Sequence, residues 1–158
     1  MKNKNVKTKE KFIESINAIL LSYGFKKQRG NWWISGGEQV QEVIYLQKSL
    51  YSNLYYFIYG FNIKNLGNKP PKMNGVFDVI CLSDISIDEW KDLQRMCDLE
   101  TVIDDSLRIY RIKELLEKLL KDIHGIIDTE AKARDHLILT KQPLTKELID
   151  YFHIPQNN

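Results

Sequence analysis

Along this chain the spacing of hydrophobic positions runs from helical to alternating and back to helical. Phe12, Ile13, Ile16, Ile19 and Leu20 share one helical stripe and predict a helix over 8–23, with Thr8 as N-cap and Gly24 as stop. Strand patterning follows at 25–28 and 31–35 around a turn or bulge at Arg29-Gly30, and Gly36-Gly37 reverse the chain. Residues 40–63 read as a long β-hairpin, and beyond a loop rich in turn formers Val76 to Leu82 predict a further strand.

With Ser52-Asn53 as a two-residue turn, Ile44 lies opposite Phe61, Leu46 opposite Tyr59, Lys48 opposite Phe57 and Leu50 opposite Tyr55. That face is almost wholly apolar and belongs on the core. The other face carries Val43, Tyr45, Gln47, Ser49, Tyr56, Ile58 and Asn62, with the Tyr45 ring set across from Gly60. Adjacent Trp32 and Trp33 must point to opposite sides of a strand, and placing Trp32 and Ile34 on the core sends Trp33 to this second face.

Helical spacing returns at Ser86-Ile87-Asp88-Glu89, a capping box that opens a helix to about Met96. Asp104 or Asp105 starts the longest helix, whose stripe includes Ile112, Leu115, Leu116, Leu119, Leu120 and Ile123. Thr129 to Leu139 predicts another helix, and Thr145 caps a last one through Phe152. This order gives an α+β fold: an N-terminal helix, a four-stranded antiparallel sheet with a central hairpin, then several C-terminal helices packing on one sheet face. The length of 158 residues fits a single domain, with 1–7 and 155–158 as flexible tails.

A chain 43% hydrophobic and 28% charged has an ordinary soluble balance, and its apolar runs are too short to span a bilayer. The basic start has no signal-type apolar stretch after it, so the expected location is cytoplasmic, with no membrane partner. Cys81 and Cys97 are expected to stay reduced. The net charge of +2 conceals an asymmetry: twelve Lys/Arg face four Asp/Glu in 1–72, whereas nine acids face only Lys91 and Arg95 in 73–105. Asp88, Asp92 and Asp98 in that acidic stretch could steer a basic partner.

The chain has no Cys/His cluster, no phosphate-cradling glycine loop and no nucleophile elbow. No catalytic residue, cofactor or metal ligand is therefore assigned. His124, His136 and His153 read as surface histidines, and Asp135 and His136 point about 100° apart on a helix. The segment Tyr59-Gly60-Phe61-Asn62-Ile63 loosely resembles the aromatic strand of an RNA-recognition motif, but the helix-first order and the acidic segment argue against nucleic acid. Exposed Trp33, Tyr45 and Tyr56 among Gln47, Ser49 and Asn62 are residue types found at binding hot spots.

Gly24-Phe25 after an amphipathic helix, Trp32-Trp33, Leu46-Gln47-Lys48-Ser49 and Tyr55-Tyr56-Phe57 through Gly60-Phe61-Asn62 together resemble a bacterial family. It is the uncharacterised "domain of unknown function 4304" family, and the likeness covers about the first half of the chain. The resemblance implies a helix followed by an antiparallel sheet and carries over no catalytic residue. It also admits an immunity protein that neutralises a toxin. The expected function is thus a non-enzymatic protein-binding module with a protein partner. The alternative is a small-ligand protein or enzyme whose pocket lies on the polar hairpin face, with Gln47, Ser49 and Asn62 orienting the ligand and Lys48 or His136 as acid/base groups.

Overall fold

The computed structural model describes residues 2–67, 75–76 and 83–156, with side chains for 8–67 and 83–156. In chain order the elements are α1 (Lys2–Ser22), β1 (Lys26–Lys27), β2 (Trp32–Ser35), β3 (Val40–Lys48), β4 (Tyr55–Ile63), a 3-10 turn (Lys64–Leu66) and β5 (Gly75–Val76). The helices α2 (Ile87–Met96), α3 (Asp105–Ile123), α4 (Glu130–Thr140) and α5 (Lys146–Phe152) follow. All five strands form one antiparallel sheet in sequence order. The α+β class is as expected. The stretch 25–35 is itself a hairpin, turning at Gly30 with φ of 80°. Of the expected strand at 76–82 only Val76 is described, and it pairs with Phe61; residues 77–82 lie outside the described residues, Cys81 among them.

Cap chemistry explains why the C-terminal helices begin where the sequence places them. Ser86 accepts from the Glu89 N–H at 3.1 Å and Glu89 accepts from the Ser86 N–H at 2.8 Å, completing the capping box. Asp104, Thr129 and Thr145 cap α3, α4 and α5 by the N-cap half of that arrangement alone, each side chain accepting from first-turn N–H groups. At the other end of the chain, α1 starts at Lys2, ahead of the expected cap. Thr8 lies inside that helix, and its hydroxyl donates to Asp105 Oδ2 at 3.3 Å.

Glu89 also receives the Lys118 ammonium from α3 at 2.8 Å. The hydrogen bond from Lys118, followed by that from the Ser86 N–H, holds its carboxyl at about 2. A carboxyl depressed by folding stabilises above its unfolded value, and that contribution fades as pH falls toward the folded value. Glu89→Gln should therefore flatten the acid limb of a stability-versus-pH curve between about pH 4.5 and 2, measured by thermal melts.

The hairpin pairs Ile44 with Tyr59, Leu46 with Phe57 and Lys48 with Tyr55, two residues out of the expected register. The tip accounts for the shift. The Ser49 N–H donates to the Leu54 carbonyl at 2.8 Å, so the loop encloses four residues, and the Ser49 and Ser52 hydroxyls accept from the Tyr51 and Leu54 N–H groups. A two-residue shift preserves the faces, so Ile44, Leu46, Phe57, Tyr59 and Phe61 are all buried as expected. It also sets Gly60 opposite Val43, so Tyr45 faces Ile58 and does not cover the glycine.

On the core side the sheet meets Phe12, Ile16 and Leu20 of α1 and the Leu115–Leu120 stripe of α3. Trp33 lies opposite Ile44, which commits it to this side. It is fully buried, and its Nε1 donates to Asn17 Oδ1 of α1 at 2.9 Å. The expectation of an exposed Trp33 is thus corrected: the pairing of β2 with β3 turns Trp33 inward and Trp32 outward.

The outer edge of β4 is closed by α2 and the segment after it. The Tyr55 N–H donates to the Cys97 carbonyl at 3.0 Å. The Gln94 amide accepts from the Phe57 N–H at 3.0 Å and donates to the Phe57 carbonyl at 2.7 Å, as a neighbouring strand would. Gln94→Ala strips both partners from that backbone and should cost about 1–3 kcal/mol by denaturant unfolding. The isosteric Gln94→Glu keeps only the acceptor. Behind this edge the buried Arg108 of α3 donates to the carbonyls of Met96, Asp98 and Thr101 at 2.6, 2.8 and 2.7 Å, bracing the connection from α2 to α3.

Candidate binding surface

The second sheet face is divided along its length. Toward the start of β3, Val43 and Asn62 are buried, at 0% and 4% exposure. Toward the hairpin tip, Trp32, Tyr45 and Ile58 lie directly opposite one another on three adjacent strands, and Gln47 lies opposite Tyr56 in the next row. Trp32, Tyr45 and Ile58 are half-buried, while Gln47 and Tyr56 are exposed, Tyr56 at 47%. Alternation makes this patch: along β4, Tyr55, Phe57 and Tyr59 turn to the core, so Tyr56 and Ile58 must turn out.

The patch continues into a groove at the β4 edge. Leu54, Tyr56, Phe57, Ile58 and Tyr59, together with Trp90 and Gln94 of α2, line a cavity of about 590 Å³. Trp90 stands edge-on to Phe57 with ring centroids 5.9 Å apart. Tyr56 and Ile58 belong to both the face and the groove, so the two form one continuous apolar and aromatic surface.

The residues singled out from sequence therefore part company. Tyr45, Gln47 and Tyr56 are brought together, with Ser49 just past the end of β3. Trp33 is in the core, and Asn62 is buried at the far end of the face. Asp88 is exposed in the first turn of α2. Asp92 turns toward α3, where it pairs with Arg111 at 2.7 Å and with Arg95 at 3.0 Å. Burial opposes its ionisation, but the hydrogen bonds from Arg111 and Arg95 outweigh it and hold the carboxyl below its ordinary value. Trp32 and Trp90 were passed over; the pairing that selects Trp32 is tertiary information.

A buried polar cluster also went unread. Glu42, 4% exposed on the core face of β3, accepts from the Tyr59 hydroxyl at 3.1 Å and from the Gly125 N–H. His124 Nδ1 lies 2.7 Å from its Oε2, and the His124 ring packs between Tyr23 and Phe25. Burial, and then the neighbouring Glu42, push the Tyr59 phenol well above its ordinary value. The Trp90 groove is not lined by Glu42 or His124, and the carboxylate is engaged by the Tyr59 hydroxyl, the Gly125 N–H and His124 Nδ1. The cluster works as a clamp between β3 and the end of α3. His136 likewise departs from the surface reading, being 4% exposed in α4.

The family model described as "Domain of unknown function (DUF4304)" matches residues 16–152. The chain belongs to this family. Membership extends well past the first half that carried the resemblance and takes in α2 to α5. No curated protein and no solved structure gives a significant match. Among the described residues of this DUF4304 protein, no helix is long and apolar enough to cross a membrane.

Proposed function

We propose that this DUF4304 protein is a non-enzymatic binding module that docks a protein partner on the Trp32–Tyr45–Ile58 and Gln47–Tyr56 rows and the adjoining Trp90 groove. The single observation that carries the reading is the run of aromatic side chains left outward on a face whose opposite side is packed with helices. Tyr and Trp supply large contact area with few rotatable bonds, and their polar tips tolerate water before docking. Neutralisation of a toxin, as the family resemblance allows, is the specific form the reading takes. The alternative of a ligand pocket on the polar hairpin face gains nothing from the Trp90 groove, whose lining does not include Gln47, Ser49 or Asn62.

Tyr56 is the anchor to test. Tyr56→Ala should shift the melting temperature by only about 1–2 °C, as an exposed residue does. It should weaken partner binding by about 2 kcal/mol, measured by calorimetry on the purified pair. Unchanged affinity would remove this surface from the account.

A further inference from the structure

At the hairpin-tip end of the molecule a cavity of about 760 Å³ opens between α1, the end of β3 and the 99–105 segment. Three cations from three elements line it: Lys9 of α1, Lys48 of β3 and Arg108 of α3. Lys9 and Lys48 are exposed and make no ion pair among the described residues. Arg108 is 2% exposed; all three of its acceptors are neutral carbonyls, and its Nε has no hydrogen-bond partner. A guanidinium buried against neutral dipoles keeps an incompletely compensated charge. In keeping with this, desolvation lowers its pKa, although Asp105 and Asp98 stand near enough to oppose the shift.

Carboxylates line the cavity as well, but each already accepts within the fold. Glu100 takes the Asn53 N–H at 3.1 Å, Asp104 takes the Ser106 and Leu107 N–H groups, and Asp105 takes the Thr8 hydroxyl. The donors lining it include the two ammonium groups, which have no ion partner among the described residues, and Arg108, whose Nε is unpartnered. Leu99, Val102 and Ile103 are apolar residues of the same lining.

We propose that this cavity binds a small organic anion, whose phosphate or carboxylate group is held by Lys9 and Lys48 with Arg108 behind them, and whose apolar part rests on Leu99, Val102 and Ile103. Glu100, Asp104 and Asp105 keep their charge while accepting within the fold, so the site favours one compact anionic group set among the three cations over an extended polyanion such as nucleic acid. The site is separate from the aromatic sheet face and stands or falls without it.

The test is calorimetric titration of the full chain at low salt with adenosine monophosphate, adenosine, octanoate, octanol and heparin. At least one of the two small anions should bind one-to-one, its neutral counterpart should not, and heparin should bind more weakly. Adenosine monophosphate alone would identify the recognised group as phosphate, and octanoate alone as carboxylate. Lys48→Gln should weaken the binding by about tenfold or more, the loss expected for one charged hydrogen bond. The exposed Lys121→Gln on α3, away from the cavity, should leave it unchanged. No binding of either anion at millimolar concentration would overturn the site. So would equal binding of the neutral counterparts, heparin binding as tightly as the small anions, or indifference to Lys48→Gln.

Discussion

Trp33→Ala is expected to destabilise the protein by about 3–5 kcal/mol, the cost of emptying a large aromatic site in a close-packed core. The ring is fully buried between the sheet and α1, and its removal also strips the Asn17 side chain of its donor. A loss of this size should lower the melting temperature by about 10 °C or more. Trp33→Phe keeps much of the ring but not the indole N–H, and should cost less, about 1–2 kcal/mol. The contrast with its neighbour is the informative part. Trp32→Ala, on the open face, should cost no more than about 1 kcal/mol while weakening partner binding. Equal costs at the two positions would mean that β2 does not pair with β3 as Trp33 opposite Ile44 and Trp32 opposite Tyr45.

Glu42→Ala is the second large effect, about 3–5 kcal/mol by denaturant unfolding, because it removes the common acceptor of three buried or half-buried donors. The Tyr59 hydroxyl, the Gly125 N–H and His124 Nδ1 would all lose their partner at once. Glu42→Gln keeps one acceptor oxygen in place and should cost roughly 1–3 kcal/mol. His124→Ala removes one of the three donors and leaves the carboxylate two, so it should cost less than Glu42→Ala. If Glu42→Ala unfolded no more easily than His124→Ala, the clamp between β3 and α3 would not be the stabilising unit.

These two residues also show how far the sequence could be read. The helices were legible because their starts are written locally: Ser86 with Glu89, Asp104, Thr129 and Thr145 each satisfy end donors within a few residues. The faces of the hairpin were legible because alternation has a period of two, and a register error of two residues leaves it intact. The partner of each strand residue was not legible, since it depends on how many residues the tip encloses. There, two serine hydroxyls stabilise a longer loop than Ser52-Asn53 alone would make. The orientation of Trp32-Trp33 was undecidable in the same way, because a short strand between two turns has no parity of its own. Glu42 did carry a signal. It falls in step with Ile44 and Leu46 on the apolar side of β3, and a carboxylate there requires buried donors. Those donors, on β4 and at the end of α3, are distant in sequence and could not be named.

The most direct measurement is photo-crosslinking in cells of the protein's own source. A benzophenone amino acid replaces Tyr56 in one variant and, as a control, the exposed Tyr110 of α3 in another. The account predicts one protein adduct of defined mass from position 56, absent from position 110 and suppressed when Tyr45→Ala is added. No adduct at position 56, or the same adducts from both positions, would contradict the assignment of the aromatic sheet face as the docking surface.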